Sequence, residues 1–297
     1  MPIRSSVAFV DDQAILSIDP FVVKLQSAIP AVQSSVSHLY QAHDFFDPKA
    51  EIFVDFHIRI DPVGGLRRFL RPQVQFKFDG KTPFKPLPYS QAFPFFEWGL
   101  NWCIANHHFR HLLLHAAVVE QNGQAIILPG QPGAGKSTLC AALVGRGWRL
   151  LSDEMAMIDL ISTELIPIVR PVSLKNESIP IIKEFVPDVV MGESFHDTAK
   201  GTVSHMKPPV TSVQNATQRT KGAWVVFPQF RQETRLSVET ISKAAAVLDL
   251  AKNAFNFNVL GASGFEALCD VVENCDCFRL EYSQLEEAVG YFANLAK

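Results

Sequence analysis

The chain has 297 residues, 47% of them hydrophobic and 19% charged, with a formal net charge of -3. That length leaves room for a full core and one extra module, and the near-balanced charge excludes a polyanion binder, so neither nucleic acid nor an anionic membrane is an expected partner. The five cysteines are scattered and lack paired CxxC spacing, no continuous apolar run is long enough to span a bilayer, and the start carries no export signal, which together predict a reduced, cytoplasmic chain.

Up to about Leu87, short apolar runs alternate with turns. EIFVDFHIRI and QVQFKF read as strands, broken by Asp61-Pro62, Gly64-Gly65 and Asp79-Gly80, and predict a β-rich module over residues 1–92. The proline-dense KTPFKPLPYSQAFP reads as a linker, and FFEWGLNWCIAN after it as a buried helix with Trp98 and Trp102 in its core. From residue 93 to 297 the pattern is that of an α/β domain. HLLLHAAVVE is one strand, Asn122-Gly123 a turn, AIILP a strand, TLCAALVG a helix and WRLLSDE a strand ending on two carboxylates. The polar stretch from Glu193 to Gln218 reads as a loop or lid. WVVFP is a further strand, and ISKAAAVLDLAKNAF and SQLEEAVGYFANLA are helices.

Between AIILP and the helix lies GQPGAGKS, Gly130 to Ser137, which fits GxxxxGK[ST]. Gly130, Gln131, Pro132, Gly133, Ala134 and Gly135 supply a tight turn whose backbone N–H groups converge on phosphate oxygens. Lys136 bridges the β- and γ-phosphates, Ser137 offers its hydroxyl to Mg²⁺, and Thr138 caps the helix or touches the α-phosphate. A nucleotide site of this kind needs a carboxylate at the end of a neighbouring strand to hold the metal or its water, and Asp153 and Glu154 supply it, so Ser137, Asp153 and Glu154 form the expected metal set. Arg170, Lys175 and Asn176 in RPVSLKN, and Lys200, His205 and Lys207 in the polar stretch, either close on the phosphates or decorate a solvated surface. His115, inside an apolar strand, reads on its own as a hydrogen-bonded core residue.

The order HAAVVEQNGQAIILPGQPGAGKSTLCAALVGRGWRLLSDE resembles the HPr kinase/phosphorylase family, and PFKPLP, EWGLNWC, RPVSLKN, KGTVSHMKPP, WVVFP and FNFNVLG resemble its HprK-related kinase A group. The resemblance implies a P-loop kinase domain of the type shared with phosphoenolpyruvate carboxykinases, joined to the smaller β-rich N-terminal module. It implies transfer of the γ-phosphoryl group of ATP, with Mg²⁺, to a serine-type hydroxyl of a protein or peptide; a small-molecule acceptor and a nucleotide-gated peptide-binding module are the alternatives. Asp153 would be the general base, Glu154 would help to hold the metal and His115 would assist them. The resembled family forms oligomers, which opens a homo-oligomer for this chain, although the sequence marks no interface. The second acid is glutamate here rather than aspartate, which lengthens the arm to the metal, and no IRGLGI-like run follows the acidic pair, so the resemblance does not extend to the segment linked to dephosphorylation.

Overall fold

QVQFKF alternates as a half-buried strand should: in Gln73–Phe78, Val74, Phe76 and Phe78 are buried and the residues between them are partly exposed. In the computed structural model, which describes residues 9–65, 70–131 and 133–296, this strand belongs to a six-stranded sheet ordered Phe45–Phe46, Gln13–Ile18, Phe21–Gln26, Phe56–Pro62, Gln73–Phe78 and Leu87–Pro88. Its one parallel pair, Phe21–Gln26 with Phe56–Pro62, is connected through the helix Pro30–Leu39.

The aromatic helix Ala92–His107 begins two residues ahead of Pro94, which its first turn tolerates because N–H groups there have no intrahelical partner. The helix lies against the first sheet so closely that a methyl group on Gly99 would sit 2.0 Å from the Phe76 ring. Phe93, Phe96, Leu100 and Cys103 share a core with Phe76 and Leu25, and the same core takes in Met155, Met157, Ile168 and Phe195. Apolar packing therefore runs unbroken across residue 92.

A second six-stranded sheet is ordered Arg149–Ser152, Ala116–Gln121, Gln124–Pro129, Lys221–Phe230, Asp276–Tyr282 and Ser237–Thr240. Its strand Lys221–Phe230 runs parallel to both neighbours. Side chains alternate between two helical layers. Ala117, Val119, Ile126 and Leu128 pack with the helices Lys136–Gly145 and Leu285–Leu295. Ala116, Val118, Ala125 and Ile127 pack with Lys243–Lys252 and Phe257–Glu273, the latter kinked at Gly261. Cys275 and Cys277 are buried in that second layer.

Two small sheets complete the described residues. One is ordered Leu165–Ile166, Ala156–Asp159 and His111–Leu114; the other Val172–Lys175, Gly201–Met206 and Phe195–Thr198. The polar stretch from Glu193 to Gln218 is thus not a loop: it forms the hairpin Phe195–Thr198 with Gly201–Met206 and the short helix Val210–Gln214. Its polar composition hides the fact that Val203, Ser204, His205 and Met206 are all buried. No helix among the described residues is long and apolar enough to cross a membrane.

Candidate active site

HLLLHAAVVE is not one strand but two. His111–Leu114 pairs with Ala156–Asp159 in a small sheet, whereas Ala116–Gln121 pairs with Arg149–Ser152 in the large one. Both chain segments therefore cross between the same two sheets, one at His115 and the other at Asp153, Glu154 and Met155. The crossings set these residues beside each other. At the break, the His115 N–H leaves the ladder and donates to the Asn253 carbonyl at 2.7 Å. Asn256 secures the strand before it, accepting from the Leu113 N–H at 3.0 Å and donating to the His111 carbonyl at 2.8 Å. On the second crossing, the Ser152 hydroxyl accepts from the Met155 N–H at 3.1 Å and fixes the turn.

The glycine loop leaves the strand Gln124–Pro129 and enters the helix Lys136–Gly145. Gly133 and Gly135 have φ of 89° and 90°, a region that side chains rarely adopt, and a Cβ on Gly135 would also stand 2.6 Å from the Tyr282 hydroxyl. Main-chain bonds from Ala134 N to Gln131 O and from Phe230 N to Ala134 O, and one from the Tyr282 hydroxyl to Gly135 O, hold the turn. Lys136 is almost fully buried and its ammonium donates to the Gly130 carbonyl at 2.6 Å. Burial lowers its pKa, against the charges of Glu154 and Asp153, which raise it. Gln131, Gly133, Gly135, Lys136, Ser137 and Thr138 line a cleft of about 950 Å³; Gly130 and Ala134 do not line it, and Pro132 lies outside the described residues.

The two acids are held differently. Asp153 is 5% exposed; Ser173 N donates to its Oδ2 at 2.9 Å, while Oδ1 is buried with no hydrogen-bond partner. Burial, followed by the charge of Glu154, pushes its pKa up to about 7, against the opposing pull of the Ser173 N–H, the Ser137 hydroxyl and Lys175. For Glu154 burial acts in the same sense but is outweighed. Its carboxylate lies 3.3 Å from His115 Nε2 and 3.6 Å from Lys175 Nζ, and these groups with Lys200 lower its pKa. Burial and the neighbouring anion thus raise one pKa of the pair, and the flanking cations lower the other.

The weaker candidates separate into two groups. Lys175, Asn176 and Lys200 line the cleft of the glycine loop. Asn176 also closes the neighbouring hairpin, accepting from Thr202 N at 3.0 Å and donating to Lys200 O at 3.2 Å. Arg170, His205 and Lys207 do not reach that cleft. Arg170 is committed to the aromatic helix and to Tyr40: it donates to Glu97 Oε2 at 2.5 Å, to Glu97 O at 2.9 Å, to Asn101 Oδ1 and to the Tyr40 hydroxyl at 3.4 Å. Burial would lower the pKa of this guanidinium, but Glu97 and Tyr40 hold it up. His205 is buried against the Phe93 ring, and Lys207 donates to Gln41 at 2.6 Å.

Three contributors carry no motif. The Ser173 N–H, the Asn253 carbonyl and the Tyr282 hydroxyl act on Asp153, His115 and Gly135 from distant parts of the chain. The only sequence signals near them are the RPVSLKN and FNFNVLG runs.

The donor set suits a nucleotide with Mg²⁺. Positive-φ glycines leave the backbone of the loop bare at the helix N-terminus, the Ser137 hydroxyl and two carboxylates are hard oxygen donors, and Asp153 Oδ1 is a buried acceptor without a partner. No family model matches the chain, and no curated protein matches it. Among solved structures it is similar to the Hpr(Ser) kinase/phosphatase from Coxiella burnetii, at 12% identity and a TM-score of 0.28, over 62% of this chain and 96% of that one. A likeness at that level does not define chemistry; the residues of the cleft have to.

Proposed function

We propose that this protein is an ATP-dependent kinase that transfers the γ-phosphoryl group to a serine-type hydroxyl of a protein or peptide. One observation carries the reading: a glycine loop with its buried lysine opens onto a cleft lined by Glu154, and next to Glu154 stands a buried carboxylate with one unpartnered oxygen, Asp153 Oδ1, in the wall of the adjoining chamber. A nucleotide sensor needs the loop and the lysine but has no use for a buried base beside them.

The loop N–H groups and Lys136 bind the phosphates, and Lys175 and Lys200 add positive charge along the same cleft. Ser137 and Glu154 would hold Mg²⁺, which when bound neutralises charge on the phosphate oxygens. His115 keeps the Glu154 carboxylate oriented. Asp153, fixed by the Ser173 N–H, takes the proton of the acceptor hydroxyl as its oxygen bonds to the γ-phosphorus; the bond from phosphorus to the bridging oxygen breaks and ADP leaves. The reverse reaction forms no part of this proposal.

The test is transfer of label from γ-labelled ATP to seryl peptides, followed by mass spectrometry of the product. Wild type should label the peptide, Lys136→Ala should lose nucleotide binding, and Asp153→Asn should bind nucleotide but not transfer. Normal transfer by Asp153→Asn would remove the base assignment.

A further inference from the structure

The phosphate cleft has a neighbour. A second chamber of about 830 Å³ shares His115, Glu154, Ser173, Lys175 and Lys200 with it, and Asp153 lines this second chamber alone. The carboxylate assigned as base therefore belongs to the wall of the chamber without the phosphate loop, as an acceptor site requires.

The chamber is built mainly by the aromatic helix. Phe95, Trp98, Trp102 and Ala105 form one side, with Leu87 and Phe255 nearby. Trp98 is not helix core: it stacks on Phe95 with ring centroids 5.8 Å apart and approaches Phe84 at 4.3 Å, yet remains 43% exposed. An indole held by two aromatic neighbours and still open to a cavity is a preformed apolar contact surface. Two residues of the wall, Asp153 and His205, each carry a buried polar atom, Oδ1 and Nδ1, without a hydrogen-bond partner. Such atoms are uncommon in a folded interior, and both belong to side chains of this chamber's wall. Two sheet edges also reach the wall. Leu87–Pro88 and Phe195–Thr198 are each the last strand of their sheet, and both contribute residues to the chamber, with Gln91 joining them by a hydrogen bond from Nε2 to the Asp197 carbonyl at 2.8 Å.

We propose that this chamber is the acceptor site and that it takes a polypeptide segment whose seryl hydroxyl stands next to a bulky aromatic or aliphatic side chain, with Trp98 and Trp102 as the specificity-determining contacts. The proposal rests on the kinase reading and adds the acceptor to it. The aromatic or aliphatic side chain lies against the indoles, and the neighbouring seryl hydroxyl reaches Asp153.

The experiment uses the full chain and capped hexapeptides in which serine is flanked by Phe, Gly or Glu. Peptide binding is read from tryptophan fluorescence, nucleotide binding from a fluorescent ATP analogue, and transfer from γ-labelled ATP. The Phe peptide should show a KM at least about tenfold below that of the Gly and Glu peptides. Ala105→Trp, which fills the chamber, should raise the KM of the Phe peptide at least about tenfold while the nucleotide Kd stays within about twofold. Trp98→Ala, at a half-exposed position, should weaken the Phe peptide selectively and serves as the second variant if the first does not fold. Equal KM values for the three peptides, no effect of either variant, or no peptide binding at all would overturn the acceptor assignment, and any continuing transfer would leave the kinase reading standing. Phe-peptide binding that is abolished by Ala105→Trp, with no transfer under any condition, supports the chamber and overturns the kinase reading. Phosphorylation of free 2-phenylethanol with a KM no higher than that of the Phe peptide overturns the polypeptide part.

Discussion

The two chambers that meet at His115 and Glu154 are assembled in opposite ways. The phosphate cleft has at its heart one contiguous strand, loop and helix, Gln124 to Gly145, whose geometry follows from its own glycines. The aromatic chamber draws its wall from the end of the first sheet, the aromatic helix, the acid-pair crossing and the hairpin around Lys200. Phosphate binding asks mainly for bare backbone N–H groups, which a short local sequence supplies. An acceptor pocket asks for shape, which comes only from packing distant segments together.

The largest test of this contrast strikes the wall both chambers approach. Asp153→Asn should lower kcat for peptide phosphorylation by about 10²–10⁴-fold while leaving nucleotide affinity nearly unchanged, measured by label transfer and analogue binding. Equal losses in both would mean that the two chambers do not work separately. Next comes the floor of the aromatic chamber. Glu97→Ala strips the buried Arg170 of its ion-pair partner and should cost about 3–5 kcal/mol of stability in urea unfolding. A cost below about 1 kcal/mol would show that the floor is solvated.

A smaller effect follows from the proton of Asp153. Its pKa in the folded state is raised to about 7, above the usual aspartate range, so it contributes stability that is fully present at about pH 4 and is lost as pH rises toward 7. In magnesium-free buffer, Asp153→Asn should therefore match wild type near pH 4, gain in melting temperature as pH rises, and level off above pH 7. An advantage independent of pH would indicate that Asp153 is ionised throughout. The smallest effect belongs to the rim of the phosphate cleft. Glu286 pairs with Arg146 at 2.6 Å but is largely exposed, and Glu286→Ala should change stability by no more than about 1 kcal/mol in the same urea assay.

The same contrast governs what could be read in advance. The loop from Gly130, with its lysine, serine and flanking strand and helix, was legible because covalent neighbours determine it. Asp153 was legible as a strand end. The break at His115 was not, because LLLHAAVV has the apolar continuity of a single strand and the interruption comes from Asn253, 138 residues away in numbering. The hairpin at Phe195–Met206 was missed because polar residues such as Ser204 and His205 are buried by tertiary packing that composition does not encode. Helical spacing places Trp98 in the core and the structure leaves it 43% exposed, because spacing gives the face a side chain occupies, not whether that face opens on a cavity.

Arg170 gives the first ninety residues a mechanical role. Its guanidinium is gripped by Tyr40, Glu97 and Asn101, and three positions onward the same chain offers the Ser173 N–H to Asp153. That short tether makes the N-terminal sheet an anchor for the base rather than an appendage. Cutting the chain at residue 92 would remove Tyr40 and the sheet beneath the aromatic helix. What remained would keep every residue of the phosphate loop and lose the footing of the carboxylate facing it.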